Sequence, residues 1–152
     1  AGGALTLGVE GSYTLEYESD DFVTGDGFVL APGDDFAGRL NEGTPFQPKP
    51  ELKASFIAKW TNDAHRLTYA ARFVDGMEDV NSPVAALDDI DDHTTHDLHY
   101  INNMFDDITI SLSVLNFTDE DPPQVANDLN YDPYNHSGFG RMIKLGVNYS
   151  IQ

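Results

Sequence analysis

Three histidines stand at intervals of three residues, His93, His96 and His99, and imidazole rings are common ligands of transition-metal ions. Residues 96–101 alternate between apolar and polar side chains, which predicts a β-strand. Side chains three residues apart on a strand point to opposite faces, so His96 is expected to point away from the other two. We therefore predict no metal site in this segment.

A histidine and a serine stand together at His136-Ser137 in a glycine-rich stretch, where they could serve nucleophilic catalysis. The sequence contains no G-x-S-x-G motif, and no acid that would orient the histidine can be identified. We predict that the protein is not an enzyme. A hydrolase remains as an alternative, which substitution of both residues would test.

Carboxylates crowd two segments, at Asp88, Asp89, Asp91 and Asp92 and again at 119–121. Carboxylate oxygens could bind Ca²⁺ or Mg²⁺, but the sequence lacks the D-x-[DN]-x-[DN]-G pattern of an EF-hand. We interpret both segments as solvated surface and predict neither a metal nor a cofactor.

The composition narrows the class of protein. The chain has 152 residues, about one domain, and its 26 acidic and 8 basic residues give a net charge of -18, which argues against nucleic-acid binding. Hydrophobic residues make up 40% of the chain, which is too many for a disordered protein. No apolar run is long enough for a transmembrane helix, and the absence of cysteine excludes disulfides and thiolate chemistry.

Six segments show period-two alternation, which is the main structural signal. From Leu5 to Tyr17 the odd positions are mostly apolar and the even positions mostly polar, which predicts a strand long enough to cross a bilayer at a tilt. The other segments span residues 52–60, 66–73, 96–101, 108–115 and 143–152.

The connections between these segments alternate in length. Long connections span roughly 19–50, 75–92 and 117–140, and short ones join the second segment to the third and the fourth to the fifth. Outer-membrane barrels have this rhythm of short periplasmic turns and long extracellular loops. We predict an all-β fold, namely an antiparallel transmembrane β-barrel segment of about six long strands. A soluble sandwich would alternate as well, but its loops would not sort into two lengths.

Parity assigns the side chains of such a barrel to the lumen or to lipid. The candidates for contact with a solute in the lumen are Glu10, Glu16, Lys53, Lys59, Arg66, Arg72, Asp97 and Lys144. The apolar faces carry aromatic residues that are typical of interfacial girdles: Tyr13, Tyr17, Trp60, Tyr69, Tyr100 and Tyr149.

The run VLNFTDEDPP at 114–123 resembles a segment near the end of TonB-dependent outer-membrane receptors. Tyr131-Asp132-Pro133 and then Gly140-Arg141, which opens the last alternating segment, follow in the family's order. Upstream, PELK at 50–53 leading to Trp60, and IDDHTTHDL at 90–98, are similar to two further strands. The resemblance covers residues 39–152, and alternation extends it to residue 4. The motif residues taken as structural are Asn116, Asp119, Pro122, Pro123, Tyr131, Gly140 and Arg141.

The chemistry of these motif residues predicts their roles. Pro122 and Pro123 cannot donate to a ladder, so the preceding strand should end before them. Gly140 should give the backbone freedom at the junction of loop and strand. Arg141 should pair either with loop carboxylates or with lipid phosphates.

The resemblance implies active uptake without covalent chemistry. A family member binds a scarce solute at its outer loops and at an N-terminal plug, the TonB complex pulls on the plug, and the solute crosses the lumen. The family's barrel has about 22 strands. Residues 1–152 hold six strands and no plug, so we expect them to be the C-terminal part of a receptor, and we expect an aromatic residue after Gln152.

The expected location is the bacterial outer membrane. The expected partners are outer-membrane lipid, the remainder of the receptor with its plug and other strands, the TonB complex through that plug, and a solute that the sequence does not identify. Plug docking and solvation are favoured over direct solute contact for the lumen candidates.

Three alternatives remain open. One is a small passive or structural outer-membrane barrel of about eight strands, in which segments such as Gly27 to Ala31 supply extra strands. Another is a soluble ligand-binding barrel with its apolar face inward. The last is an outer-membrane hydrolase that uses His136 and Ser137.

Overall fold

The computed structural model is all-β and describes residues 2–42, 44–105 and 107–151. Six strands form one antiparallel sheet, and each is hydrogen-bonded to the next in chain order. They are β1 (Ala4–Tyr13), β2 (Leu52–Thr61), β3 (His65–Val74), β4 (His93–Phe105), β5 (Ile108–Leu115) and β6 (Met142–Tyr149). Within the described ranges, β1 and β6 are unpaired edges and the sheet does not close into a barrel. Gln152, after which an aromatic residue is expected, lies outside those ranges.

The first strand is shorter than predicted because of its partner. Tyr13 pairs with Leu52, and the Thr14 N–H still donates to the Glu51 carbonyl oxygen over 2.7 Å. One step further the opposite position is Pro50, which has no N–H to continue the ladder. Glu16 therefore lies beyond the end of β1, and the parity that predicted it on the lumen side does not apply to it.

The other five predicted strands are confirmed, with small changes at their ends. The fourth is longer than predicted: β4 begins at His93 and reaches Phe105, with an irregular register between Asn102 and Phe105. All strands except the edges have two neighbours, so the sheet is a simple meander.

The alternation of long and short connections is confirmed. Short connections join β2 to β3 and β4 to β5 at one end of the sheet, the turn end. Three long loops, L1 (14–51), L2 (75–92) and L3 (116–141), lie at the other end, the loop end. Among the described residues, no helix is long and apolar enough to cross a membrane.

The loops contain small elements that do not extend the main sheet. Three two-stranded ribbons pair Glu18–Ser19 with Asp34–Asp35, Phe22–Val23 with Val29–Ala31, and Met77–Glu78 with Asp89–Ile90. A short 3-10 helix spans Ala85–Leu87. The segment from Gly27 to Ala31 thus enters a ribbon within L1 instead of supplying a strand of a closed barrel.

The sheet has two chemically different faces. One, the polar face, carries the even-numbered residues of β1, β3 and β6 and the odd-numbered residues of β2, β4 and β5. The opposite, apolar face is uncovered: Val9 in β1 is 80% exposed, Leu145 in β6 is 73% exposed, and Leu98 in the middle of the sheet is 36% exposed. This face is therefore not a dry interior within the described ranges.

The buried apolar core lies in the loops and not in the sheet. Leu40 of L1, Met77 and Ile90 of L2 and Val125 of L3 form one cluster, and each is at most 5% exposed. L1 and L2 are also joined by backbone hydrogen bonds from Leu40 N to the Glu78 carbonyl and from Glu78 N to the Gly38 carbonyl. The three loops therefore pack together as a cap at the loop end.

The aromatic residues separate into strand and loop positions. Tyr13 ends β1 at the loop end, where its hydroxyl donates to Glu51 Oε2 over 2.7 Å. Tyr149 ends β6 at the turn end, and Trp60 and Tyr100 lie near that end on the apolar face. Tyr69 lies in the middle of β3. Tyr17, also expected in a girdle, packs within L1 against Phe36 and Phe46.

Candidate functional site

The polar face and the L3 loop that approaches it form the candidate site. The strand registers bring seven of the eight predicted lumen candidates to the polar face, all except Glu16. They are Glu10, Lys53, Lys59, Arg66, Arg72, Asp97 and Lys144. The five cations among them are exposed, whereas Asp97 is 3% exposed.

Asp97 connects the sheet to the start of L3. Its Oδ2 accepts a hydrogen bond from Arg72 of β3. Arg72 pairs with Thr95, which is the next residue of β4 on the same face as Asp97. Its Oδ1 accepts the backbone N–H of Asn116 over 2.9 Å. A buried carboxylate is costly unless paired and hydrogen-bonded, and these two contacts satisfy it. Asp97 is thus a structural anchor of the loop as well as a charged group of the polar face.

The resemblance motif folds into a compact turn at the base of L3. Asn116 adopts a φ of 48° and Asp119 a φ of 62°, in the left-handed region that asparagine and aspartate tolerate. The Asn116 side chain donates from Nδ2 to the Glu120 carbonyl over 2.8 Å and accepts the Glu120 N–H at Oδ1 over 3.1 Å. The two prolines that follow, Pro122 and Pro123, lie outside any strand, as predicted.

Asp119 and Arg141 close the two ends of L3 on each other. The Arg141 backbone N–H donates to Asp119 Oδ1 over 2.7 Å, and its guanidinium Nη2 donates to Oδ2 over 2.9 Å. These contacts confirm the expectation that Arg141 pairs with a loop carboxylate. The hydrogen bonds from the Arg141 backbone and side chain lower the pKa of Asp119 below its usual value.

Gly140 has a different role from the predicted one. Among the described residues the glycines with positive φ are Gly27 and Gly38, so Gly140 does not supply a left-handed backbone. A Cβ atom at Gly140 would lie 2.9 Å from Asp119 Oδ1, which is too close for ordinary contact. Glycine keeps this position free of a Cβ atom that would displace the Asp119 carboxylate.

The middle of L3 is held by buried polar groups. Asp132 is fully buried; its carboxylate accepts the Tyr134 N–H over 2.9 Å and an Asn135 side-chain hydrogen over 2.5 Å. The Tyr131 ring approaches Gly138 so closely that a Cβ there would lie 2.9 Å from its hydroxyl oxygen. Tyr131-Asp132-Pro133, the YDP motif, therefore organises the loop around a short internal turn.

The sequence did not indicate one contact that docks L3 on the sheet. His136 packs against His93 at the start of β4, with the two Nδ1 atoms 3.2 Å apart and both rings 8% exposed. Nε2 of each ring is buried and has no hydrogen-bond partner among the described atoms. Parity places His93 on the polar face, but no sequence signal shows that a residue of L3 folds back onto it.

Burial lowers the pKa of the His136 imidazole below its usual value of 6.5. The nearby His93 and Lys53 act in the same direction, and the Asp132 carboxylate acts in the opposite one. The imidazole is therefore neutral near pH 7, the state in which two rings can share a hydrogen bond.

The other two histidines of the series separate as predicted. His96 lies on the apolar face, where its Nδ1 is 2.8 Å from the Tyr69 hydroxyl. His99 lies on the polar face, with Nδ1 2.9 Å from Ser113 Oγ. Within the described ranges, no three histidine, aspartate or glutamate side chains are grouped as metal ligands.

The geometry around His136 and Ser137 is not that of an activated serine. The imidazole of His136 contacts His93, and the Ser137 hydroxyl oxygen accepts the Phe139 N–H over 3.3 Å. No hydrogen bond joins the two side chains in the described part of the chain.

Two cavities are lined by several residues of L3 each. One, of about 590 Å³, opens between L1 and L3 and is lined by Glu42, Phe46, Asp128 and Tyr134, among others. The other, of about 380 Å³, lies between the polar face and L3, and its lining includes Arg72, Asp97, His99 and His136. The second cavity therefore brings loop residues and lumen candidates together.

Comparisons with protein-family models, with curated proteins and with solved structures find no match for this chain.

Proposed function

We propose that this chain is the C-terminal wall segment of a TonB-dependent outer-membrane receptor, which imports a scarce solute without covalent chemistry. The observation that carries the proposal is the division of one sheet into an exposed apolar face and a cationic polar face. An apolar face of six long strands that nothing covers is unstable in water and stable in contact with lipid tails.

The open edges of the sheet support a larger assembly. Unpaired backbone groups cannot face hydrocarbon, because each costs several kcal/mol there. β1 and β6 leave such groups along ten and eight residues respectively. In the proposed receptor these edges are hydrogen-bonded to further strands of the same protein.

The two ends of the sheet support an orientation. The turn end has short connections, whereas the loop end has a packed cap of three loops that carries most of the chain's carboxylates. In the proposed receptor the cap faces the outside and the turns face the periplasm. The residues over the mouth of the barrel then come from L1, L2 and L3.

The alternatives receive less support. A soluble barrel needs its apolar side chains packed inward, but those of β1 and β6 are exposed. A complete small barrel needs an additional pairing that closes the sheet, and the ribbons in L1 do not provide it.

Topology labelling in intact cells tests the proposal. Asp88→Cys in L2 and Asp63→Cys in the turn between β2 and β3 make the same chemical change at opposite ends of the sheet, in a chain that has no native cysteine. In the full-length protein, a membrane-impermeant maleimide should label position 88 in intact cells and position 63 after the outer membrane is permeabilised. Equal labelling of both in intact cells, or labelling of neither until the cytoplasm is released, would overturn the proposal.

A further inference from the structure

One row of side chains crosses the polar face from edge to edge and offers hydroxyl and nitrogen groups throughout. The registers pair its members across the six strands: Thr6 in β1, Lys59 in β2, Thr68 in β3, His99 in β4, Ser113 in β5 and Lys144 in β6. Adjacent strands lie about 4.8 Å apart, so the row is about 24 Å long. It contains no carboxylate.

The centre of the row always presents a hydrogen-bond donor. His99 Nδ1 and Ser113 Oγ are 2.9 Å apart. If the serine hydroxyl donates to Nδ1, the imidazole carries its proton on Nε2 and can donate from there. If the imidazole donates from Nδ1, the serine hydroxyl is left to donate. In either tautomer the pair supplies one further donor, which suits an anionic oxygen.

Two lysines of the row lie about 19 Å apart, Lys59 next to its β1 end and Lys144 at its β6 end. Lys59 and Lys144 are exposed, and neither forms an ion pair with any described residue. Arg66 joins the Lys59 end, because it pairs with Thr61 and is therefore a diagonal neighbour of Lys59 on the same face. Diagonal neighbours in a sheet are about 7–8 Å apart, within reach of one anionic group for long side chains.

The charges of the whole chain are sorted so that this face is positive. Five of the 8 basic residues lie in the six strands, all on the polar face, together with two acidic residues, Glu10 and Asp97. The other 24 of the 26 acidic residues lie outside those strands. The strands thus carry a formal charge of +3 (5 − 2) in a chain of net charge -18. A positive surface inside an acidic protein attracts anions to that surface.

The size of the adjoining space favours a small ligand. His99 is the one member of the row that lines the cavity of about 380 Å³ between the polar face and L3, and Arg72 and Asp97 line it as well. Pockets for small molecules are typically about 300–1,000 Å³. A cavity of this size accepts a small molecule more readily than a folded acidic domain.

We infer that the β2–β4 part of the row, together with the adjoining Arg66, binds the oxyanion group of a small solute, a phosphate, sulfate or carboxylate. The inference rests on the proposed function in that the polar face is the surface that the imported solute meets. Lys59 and Arg66 supply charge, Thr68 supplies a hydroxyl group, and the His99–Ser113 pair supplies one further donor. Lys144 is about 19 Å from Lys59 across the sheet, so it lies outside this site.

Titration calorimetry with inorganic pyrophosphate tests the inference on the detergent-solubilised full-length protein at fixed ionic strength. Lys59→Gln and Arg66→Gln remove one cation each from the site, and Lys144→Gln on the same face and Lys49→Gln in L1 are the matched controls for loss of charge. We expect saturable binding that weakens about tenfold or more in each of the first two variants, as for loss of a charge-assisted hydrogen bond, and that is unchanged in the controls.

Three results would overturn the inference: no saturable binding, an equal loss in Lys144→Gln or Lys49→Gln, or binding of a polyglutamate peptide in place of pyrophosphate, which would make the row a docking surface for an acidic polypeptide. The topology labelling keeps the two proposals apart. Pyrophosphate binding without the expected labelling would overturn the membrane assignment and leave the oxyanion site standing. The expected labelling without pyrophosphate binding would overturn the oxyanion site alone.

Discussion

Nδ1 of His93, the first residue of β4, lies 3.2 Å from Nδ1 of His136 in L3, and both rings are buried. One residue belongs to the sheet and the other to a loop 43 positions away in the sequence, so the contact fixes L3 on the polar face. The contact also encloses the smaller cavity, because both rings line it. The protonation state of this pair should therefore control how L3 is docked.

Docking of L3 should weaken in acid. The pKa of His136 is lowered from 6.5 by burial and by the neighbouring His93 and Lys53, against the opposing Asp132 carboxylate. An undocked loop binds a proton more readily than a docked one, so docking is fully stabilised above pH 6.5 and is progressively lost as the pH falls below it. A nitroxide label at Phe139 should become more mobile between pH 7 and pH 5 by electron paramagnetic resonance.

The control for this prediction is the double variant His93→Phe/His136→Phe, which keeps both rings but removes both imidazoles of the pair. Its label mobility should be independent of pH over that range. A wild-type protein whose label at position 139 is equally mobile at pH 7 and pH 5 would show that the histidine pair does not control the loop.

Removal of the Asp97 carboxylate should destabilise the base of L3. Asp97→Ala leaves the buried Asn116 N–H without its acceptor, which costs about 1–3 kcal/mol. Asp97→Asn keeps a side-chain oxygen for that N–H and should cost less. The measurement is the free energy of unfolding of the full-length protein in denaturant, and equal losses in the two variants would contradict the assigned role.

A methyl group at Gly140 should destabilise the closure of L3. In Gly140→Ala the new Cβ would lie 2.9 Å from Asp119 Oδ1, the atom that accepts the Arg141 N–H. Gly8→Ala is the matched control, because nothing lies within 4 Å of a Cβ at that position in β1. We expect a lower thermal midpoint for the first variant and no decrease for the second; the same midpoint in both would show that the close approach is unimportant.

The cap should depend on its small apolar core. Leu40 is 2% exposed in the cluster of the three loops, so Leu40→Ala should cost about 2–5 kcal/mol. Leu15→Ala, at a position that is 81% exposed, should change stability by about 0.5 kcal/mol or less. Denaturant unfolding of the full-length protein distinguishes them, and a loss as small in Leu40→Ala as in Leu15→Ala would exclude a packed cap.

Local patterns predicted the strands where both faces were chemically distinct. The alternation at 143–152 gave the start of β6 to within one residue, because each apolar side chain there has a polar neighbour, but β6 ends at Tyr149, before the predicted end. It failed at Tyr17 because the end of β1 depends on Pro50, which precedes the partner strand β2 and is distant in sequence. It missed the start of β4 because His93 to Asp97 has no apolar residue to mark either face.

The candidate site was predictable in part. Parity alone placed Lys59 and Lys144 on one face, but which residues become neighbours depends on strand register, which alternation does not fix across long loops. The pairing of His93 with His136 depends on how L3 folds back, and the role of Gly140 depends on the position of Asp119. These are tertiary contacts, and no local pattern encodes them.

The central claim is that the apolar face lies in lipid and the polar face in water. Nitroxide labels at successive positions 143–148 of β6, in the full-length protein reconstituted into liposomes, test it by their accessibility to oxygen and to an aqueous nickel chelate. Oxygen should dominate at Ile143, Leu145 and Val147, and the chelate at Lys144, Gly146 and Asn148. A chelate accessibility at Leu145 as high as that at Lys144 would contradict the claim.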